Sequence, residues 1–90
     1  MNTNEEETID LLKPHEAIVI NFFHHWGLLA RKGYLPLWVF DYGSGAGVIR
    51  YYEILKDRIE TMRNTHNDPS YASGFEWLYN KMKKRKNHKL

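Results

Sequence analysis

Ninety residues without a cysteine, 42% hydrophobic and 14% aromatic, with a formal net charge of +2 at pH 7, describe one small domain. They exclude a disordered chain, a disulfide scaffold, a thiol nucleophile and a thiolate zinc site. The longest apolar runs, 17–20 and 35–40 (broken by Pro36), fall far short of the roughly 20 residues needed to cross a bilayer, and the acidic start MNTNEEETID is the opposite of a secretion signal, so the expectation is a cytoplasmic protein with no membrane insertion.

In chain order, Thr3-x-x-Glu6 fits a capping box for a short first helix ended by Pro14, whose ring disfavours helical geometry at Lys13. Pro14 suits the first turn of a second helix, running to about Lys32, with Gly33 as its C′ residue. Its apolar residues predict a buried stripe of Ile18, Phe22, Trp26 and Leu29, widened by Val19, Phe23 and Ala30. Pro36 then opens a short apolar helix through Leu37, Trp38 and Phe40, ended near Gly43. The cleanest pattern follows: Val48, Tyr52, Leu55, Ile59 and Met62 form one narrow stripe on a long central helix, about 46–64. On its outer face Lys56–Glu60 and Glu60–Arg63 are spaced to pair. Residues 64–69 are turn chemistry, and Ser73-x-x-Glu76 is a second capping box, opening a last helix that packs Phe75, Leu78, Tyr79 and Met82. No stretch shows sustained strand alternation. The fold expected is all-α, a single domain built as a compact bundle of four to five helices, with a basic C-terminal tail at about 81–90.

The adjacent histidines His24 and His25 invite a metal or catalytic reading. Neighbours on a helix point about 100° apart, and the positions four away hold Ile20 and Leu28, or Asn21 and Leu29. The stripe instead places His25 at its edge and His24 roughly opposite, towards solvent. The glycine-rich Tyr42-Gly-Ser-Gly-Ala-Gly47 precedes a helix, but it has neither the lysine nor the strand of a P-loop, and Val48 stands where a dinucleotide fingerprint needs its third glycine. Asp41, among aromatics and without a sequence-visible partner, reads as a turn or cap residue. No catalytic residue, metal ligand set or cofactor motif emerges.

Charge is unevenly spread: residues 1–45 hold three Lys/Arg against six Asp/Glu, and residues 46–90 hold ten against five. Lys83, Lys84, Arg85 and Lys86 are candidate phosphate contacts, but cations at a helix C-terminus also suit its dipole. The whole chain lacks the strong basic excess of a dedicated nucleic-acid binder.

Ile20-Asn-Phe-Phe23 at an apolar helix, Val48-Ile-Arg-Tyr-Tyr52 opening the long one, Arg63, and Phe75-Glu-Trp-Leu78 in the last together resemble an uncharacterised prokaryotic family, catalogued as domain of unknown function 4760, over about residues 18–85. The family often has Trp where this chain has Tyr52, and the glycine run at 43–47 is richer than its pattern. The resemblance implies a helical fold and transfers no activity.

Three function classes remain. A small non-enzymatic protein-interaction module, such as a phage- or plasmid-borne inhibitor of a host protein, suits the aromatic excess. Nucleic-acid binding through the basic C-terminal helix is the alternative, and an enzyme built on a tertiary His/Asp cluster is the third. For the first, residues 34–42 crowd apolar side chains around barely two turns, so Tyr34, Trp38 and Tyr42 are the expected interface with another protein or with a second copy in a homodimer.

Overall fold

The computed structural model describes residues 12–88. Among them it shows three α-helices, one 3-10 helix and no strand: α1 at Pro14–Arg31, the 3-10 segment at Leu37–Tyr42, α2 at Ser44–His66 and α3 at Ser73–His88. The all-helical expectation holds, while the four to five helices do not appear among the described residues. The expected helix around Thr3–Glu6 lies outside them. The apolar segment after Pro36 closes only as a 3-10 helix, with Val39 donating to the Pro36 carbonyl at 3.2 Å, and Gly43 at φ +122° turns the chain after six residues. None of the described helices is long and apolar enough to cross a membrane.

Local chemistry explains where the helices start and stop. Lys13 is extended and Pro14 occupies the first turn of α1, where its missing N–H costs nothing. Glu16 then reaches back to accept the Lys13 N–H at 3.0 Å. At the other end, Gly33 takes φ +86° and donates to Ala30, while Tyr34 donates to Leu29. This is a Schellman closure, with glycine at the predicted C′ position. Asn67, at φ +52°, ends α2 through the same pair of bonds, to Asn64 and from Asp68 to Arg63. The capping box expected at Ser73 does not form. Its Glu76 carboxylate turns away to Arg63, and the Ser73 N–H goes to the Ser70 carbonyl.

The long helix follows its pattern: Val48, Tyr52, Leu55, Ile59 and Met62 are all buried, and α2 runs two residues beyond each expected end. Glu60 and Arg63 pair at 2.8 Å as their spacing suggests. Arg63, only 11% exposed in its side chain, also donates from Nε to the Tyr71 carbonyl at 2.8 Å and to Glu76 at 3.1 Å. Burial, with the Glu76 carboxylate beside it, pushes the Tyr52 hydroxyl up to about 12. Arg63, Tyr52, Phe75 and Glu76, four residues of the family-like pattern, thus meet as the joint between α2 and α3.

The face of α1 is the main correction. Its buried residues are Glu16, Ile20, Gly27 and Ala30, whereas Ile18, Phe22 and Leu29 of the expected core stripe are exposed. The helix is turned by well over a quarter turn from the hydropathy reading. Two backbones set that orientation. A Cβ on Gly27 would lie 1.9 Å from the Gly74 carbonyl oxygen, and one on Gly74 would lie 2.0 Å from that of His24. Only glycine permits so close a crossing of α1 over the start of α3, and the crossing brings Ile20 and Phe23 onto Phe75 and Leu78 in one core. On the same face, one turn before Ile20, Glu16 forms a part-buried ion pair with Arg58 of α2. The Lys13 N–H, and then Arg58, hold its carboxyl below the ordinary value despite burial.

Candidate interaction surface

With small and buried residues turned inward, α1 presents its large apolar residues to solvent. Ile18 is 67% exposed, Phe22 52% and Leu29 46%, and Trp26 lies half-buried among them. Their spacing of four, four and three places them along one line about 16 Å long. The line is continuous: Trp26 leans on Phe22 with centroids 5.6 Å apart and meets Phe40 edge-on at 6.4 Å. It also widens towards α2, because Phe22 stands against Phe23 at 5.5 Å and Phe23 against the exposed Tyr51 at 6.5 Å. Hydropathy alone places these residues in the core, and the structure turns Ile18, Phe22 and Leu29 outward.

Of the expected interface residues, Tyr34, Trp38 and Tyr42, Tyr34 is 77% exposed and Trp38 58%. The Tyr42 side chain lies outside the described residues. Tyr34 stands directly past the end of the ridge, its N–H bonded to the Leu29 carbonyl at 3.0 Å.

The four basic residues of the tail are not equivalent. Lys83, Lys84 and Lys86 are exposed on α3, Lys83 with its ammonium 5.3 Å from the Tyr79 ring centre. Arg85 instead grips Asp41 in a two-pronged pair, Nε donating to Oδ1 at 2.9 Å and Nη2 to Oδ2, and this hydrogen bonding raises the Arg85 pKa. Asp41 is therefore the anchor of an ion pair that ties the 3-10 segment to α3, not a turn residue. The two partners are 44 positions apart, so no local spacing signals them.

The two histidines exchange the places expected for them. His25 is exposed and its Nδ1–H donates to the Asn21 carbonyl at 2.8 Å. His24 is half-buried, and its Nδ1 accepts the Gly74 N–H at 3.0 Å, satisfying a donor in the first turn of α3. An open cleft of about 710 Å³ lies beside them, walled also by Ile18, Asn21, Asp68 and Tyr71. The Asp68 carboxylate is bound by the Ser70 N–H at 3.1 Å and the Ser70 hydroxyl at 2.6 Å. The two imidazoles stand at 75° with centroids 5.3 Å apart, and among the described residues no three His, Asp or Glu side chains gather as a metal site.

The His24 contact predicts a pH dependence. An acceptor Nδ1 requires neutral imidazole. A proton there would set donor against donor at the positive end of α3. Burial, and then neighbouring His25, lower the His24 pKa below 6.5. Between that lowered value and 6.5 the unfolded chain binds more protons than the folded one, so this contribution to stability is complete above 6.5 and is lost as pH falls through the window. His24 meets the Gly74 N–H and the His25 ring, and Asp68 and Tyr71 line the same cleft. Melting temperatures should fall between pH 7.5 and 5.5, and His24→Gln should remove much of that fall. A His24 imidazole titrating at or above 6.5 by NMR would contradict the bond.

Comparisons with protein-family models, with curated proteins and with solved structures returned no match to this chain.

Proposed function

We propose that this chain is a small helical protein-interaction module of the cytoplasm, not an enzyme, and that its working surface is the ridge Ile18, Phe22, Trp26 and Leu29 of α1, with Tyr34 and Trp38 beyond it. One observation carries the reading: several large apolar side chains stand exposed in one continuous line, a kind of patch that soluble monomers keep small unless it is used. Aromatic anchors of this kind supply most of the binding energy at protein interfaces. A module that covers an apolar site on its partner also blocks it, which is how an inhibitor carried by a phage or plasmid would act. The nucleic-acid alternative keeps Lys83, Lys84 and Lys86 but loses Arg85 to Asp41. The family-like pattern falls mostly on the α2–α3 joint, at Tyr52, Arg63, Phe75 and Glu76, and meets this surface only at Phe22.

Capture of partners from the source organism by the tagged protein tests the proposal. A stoichiometric protein partner should be retained by wild type, and Phe22→Ala or Trp38→Ala should weaken its binding by about 2 kcal/mol. Retention unchanged by both substitutions, or only nuclease-sensitive material that is lost with Lys83→Gln, Lys84→Gln and Lys86→Gln together, would refute it.

A further inference from the structure

We infer that the α1 ridge takes an acidic amphipathic helix of another protein, an inference that rests on reading this ridge as the interaction surface. Two features of α1 define the occupant. The first is shape. Ile18, Phe22, Trp26 and Leu29 recur at helical spacing along about 16 Å, so their projecting side chains form a row that a second helix of three turns can pack across. An apolar helix face laid along such a row is a recurrent mode of peptide recognition.

The second feature is charge. The charged or ionisable side chains that α1 and its two caps hold in solvent are Lys13, His15, His25, Arg31 and Lys32. His15, His25 and Lys32 each sit three positions from a ridge residue, on its border. The single carboxylate of the helix, Glu16, is buried and already taken by the Lys13 N–H and Arg58. A ridge bordered by Lys32 and two imidazoles, with no free carboxylate on its own helix, favours a partner whose apolar stripe is flanked by Asp and Glu over one flanked by Lys and Arg. The same argument disfavours a second copy of this chain. A second copy would bring the same border to the ridge, Lys32 with two imidazoles and no free carboxylate, and so offers it no complement.

The probe is a display library of four-turn helical peptides with a fixed leucine stripe and flanking positions randomised among Glu, Gln and Lys, selected on the full chain. Selected peptides should be dominated by Glu. Their affinity should fall as salt rises, and should drop about tenfold or more on Glu→Lys in the peptide or on Phe22→Glu in the protein. Phe22 is half exposed, so the variant should still fold and melt cooperatively. Selected peptides without charge preference that still depend on Phe22 would discard the acidic partner and leave the ridge as the interface. Peptides indifferent to Phe22 would discard the ridge itself. A dimer in sedimentation equilibrium that Phe22→Glu abolishes would assign the ridge to a second copy. Peptide binding that appears only when residues 1–11, with Glu5, Glu6, Glu7 and Asp10, are removed would assign it to the chain's own start. Either result overturns the inference.

Discussion

Gly27→Ala should destabilise this domain by about 3 kcal/mol or more, a large part of the roughly 5 kcal/mol that a chain of this size holds. The added methyl would lie 1.9 Å from the Gly74 carbonyl oxygen and 2.4 Å from its carbon. Both are backbone atoms, so no side chain can swing aside and α1 must lift from α3. Lifting opens the contact of Phe23 on Phe75, whose rings stack at 5.2 Å. Overpacked sites ordinarily cost about 1–3 kcal/mol, and this one has rigid neighbours on both helices. Intrinsic helix propensity pulls the other way, favouring Ala over Gly by about 1 kcal/mol in a helix interior. The sign of the change in urea denaturation therefore decides the matter. Gly47→Ala is the control. Nothing lies within 4 Å of a Cβ there, so that variant should gain about 0.5–1 kcal/mol. A Gly27→Ala protein as stable as its Gly47→Ala counterpart would mean that the two helices do not cross at these glycines.

The contrast between α2 and α1 shows what hydropathy can and cannot locate. In α2, the buried line from Val48 to Met62 alternates with Glu53, Lys56, Asp57 and Glu60, so only one face is available to the core. In α1, apolar residues point in every direction: Ala17, Ile18, Val19 and Ile20 are consecutive, and Phe22 and Phe23 adjoin. Periodicity cannot choose among such faces, and the choice fell to terms that hydropathy does not count. Gly27 has no side chain, yet it permits the closest helix contact in the core. Glu16 is a charge on the buried side, admitted because Arg58 and the Lys13 N–H satisfy it. The exchange of His24 and His25 follows from the same rotation. A glycine in mid-helix, with a second at the start of α3, was the available signal. The Asp41–Arg85 pair carried none, since it depends on where the 3-10 segment meets the far end of α3. The exposure of Tyr34 and Trp38 was legible, because a two-turn segment that is apolar all round cannot bury every side.

Phe75→Ala should cost about 3–5 kcal/mol and abolish the cooperative transition. Phe75 is fully buried where the three helices meet, stacked on Phe23 of α1 and edge-on to Tyr52 of α2 at 5.1 Å. Its loss removes both aromatic pairs and leaves a cavity that the Gly27–Gly74 contact prevents the backbone from closing. Tyr52 is also stacked on Tyr79 at 4.4 Å and lies beside the Glu76 carboxylate. Loosening it should weaken the hold of Arg63 on α3 as well. Phe75→Leu, which keeps most of the volume, should lose clearly less, and calorimetry of the two variants separates a packing loss from a general failure to fold. The same measurement on Phe22→Ala tests the orientation of α1. Phe22 precedes the core residue Phe23 by one position but stands half exposed, so its truncation should change stability by only about 1 kcal/mol. Losses of equal size from Phe22→Ala and Phe75→Ala would place Phe22 in the core and the hydropathy stripe of α1 against α3, and the exposed ridge would then not exist.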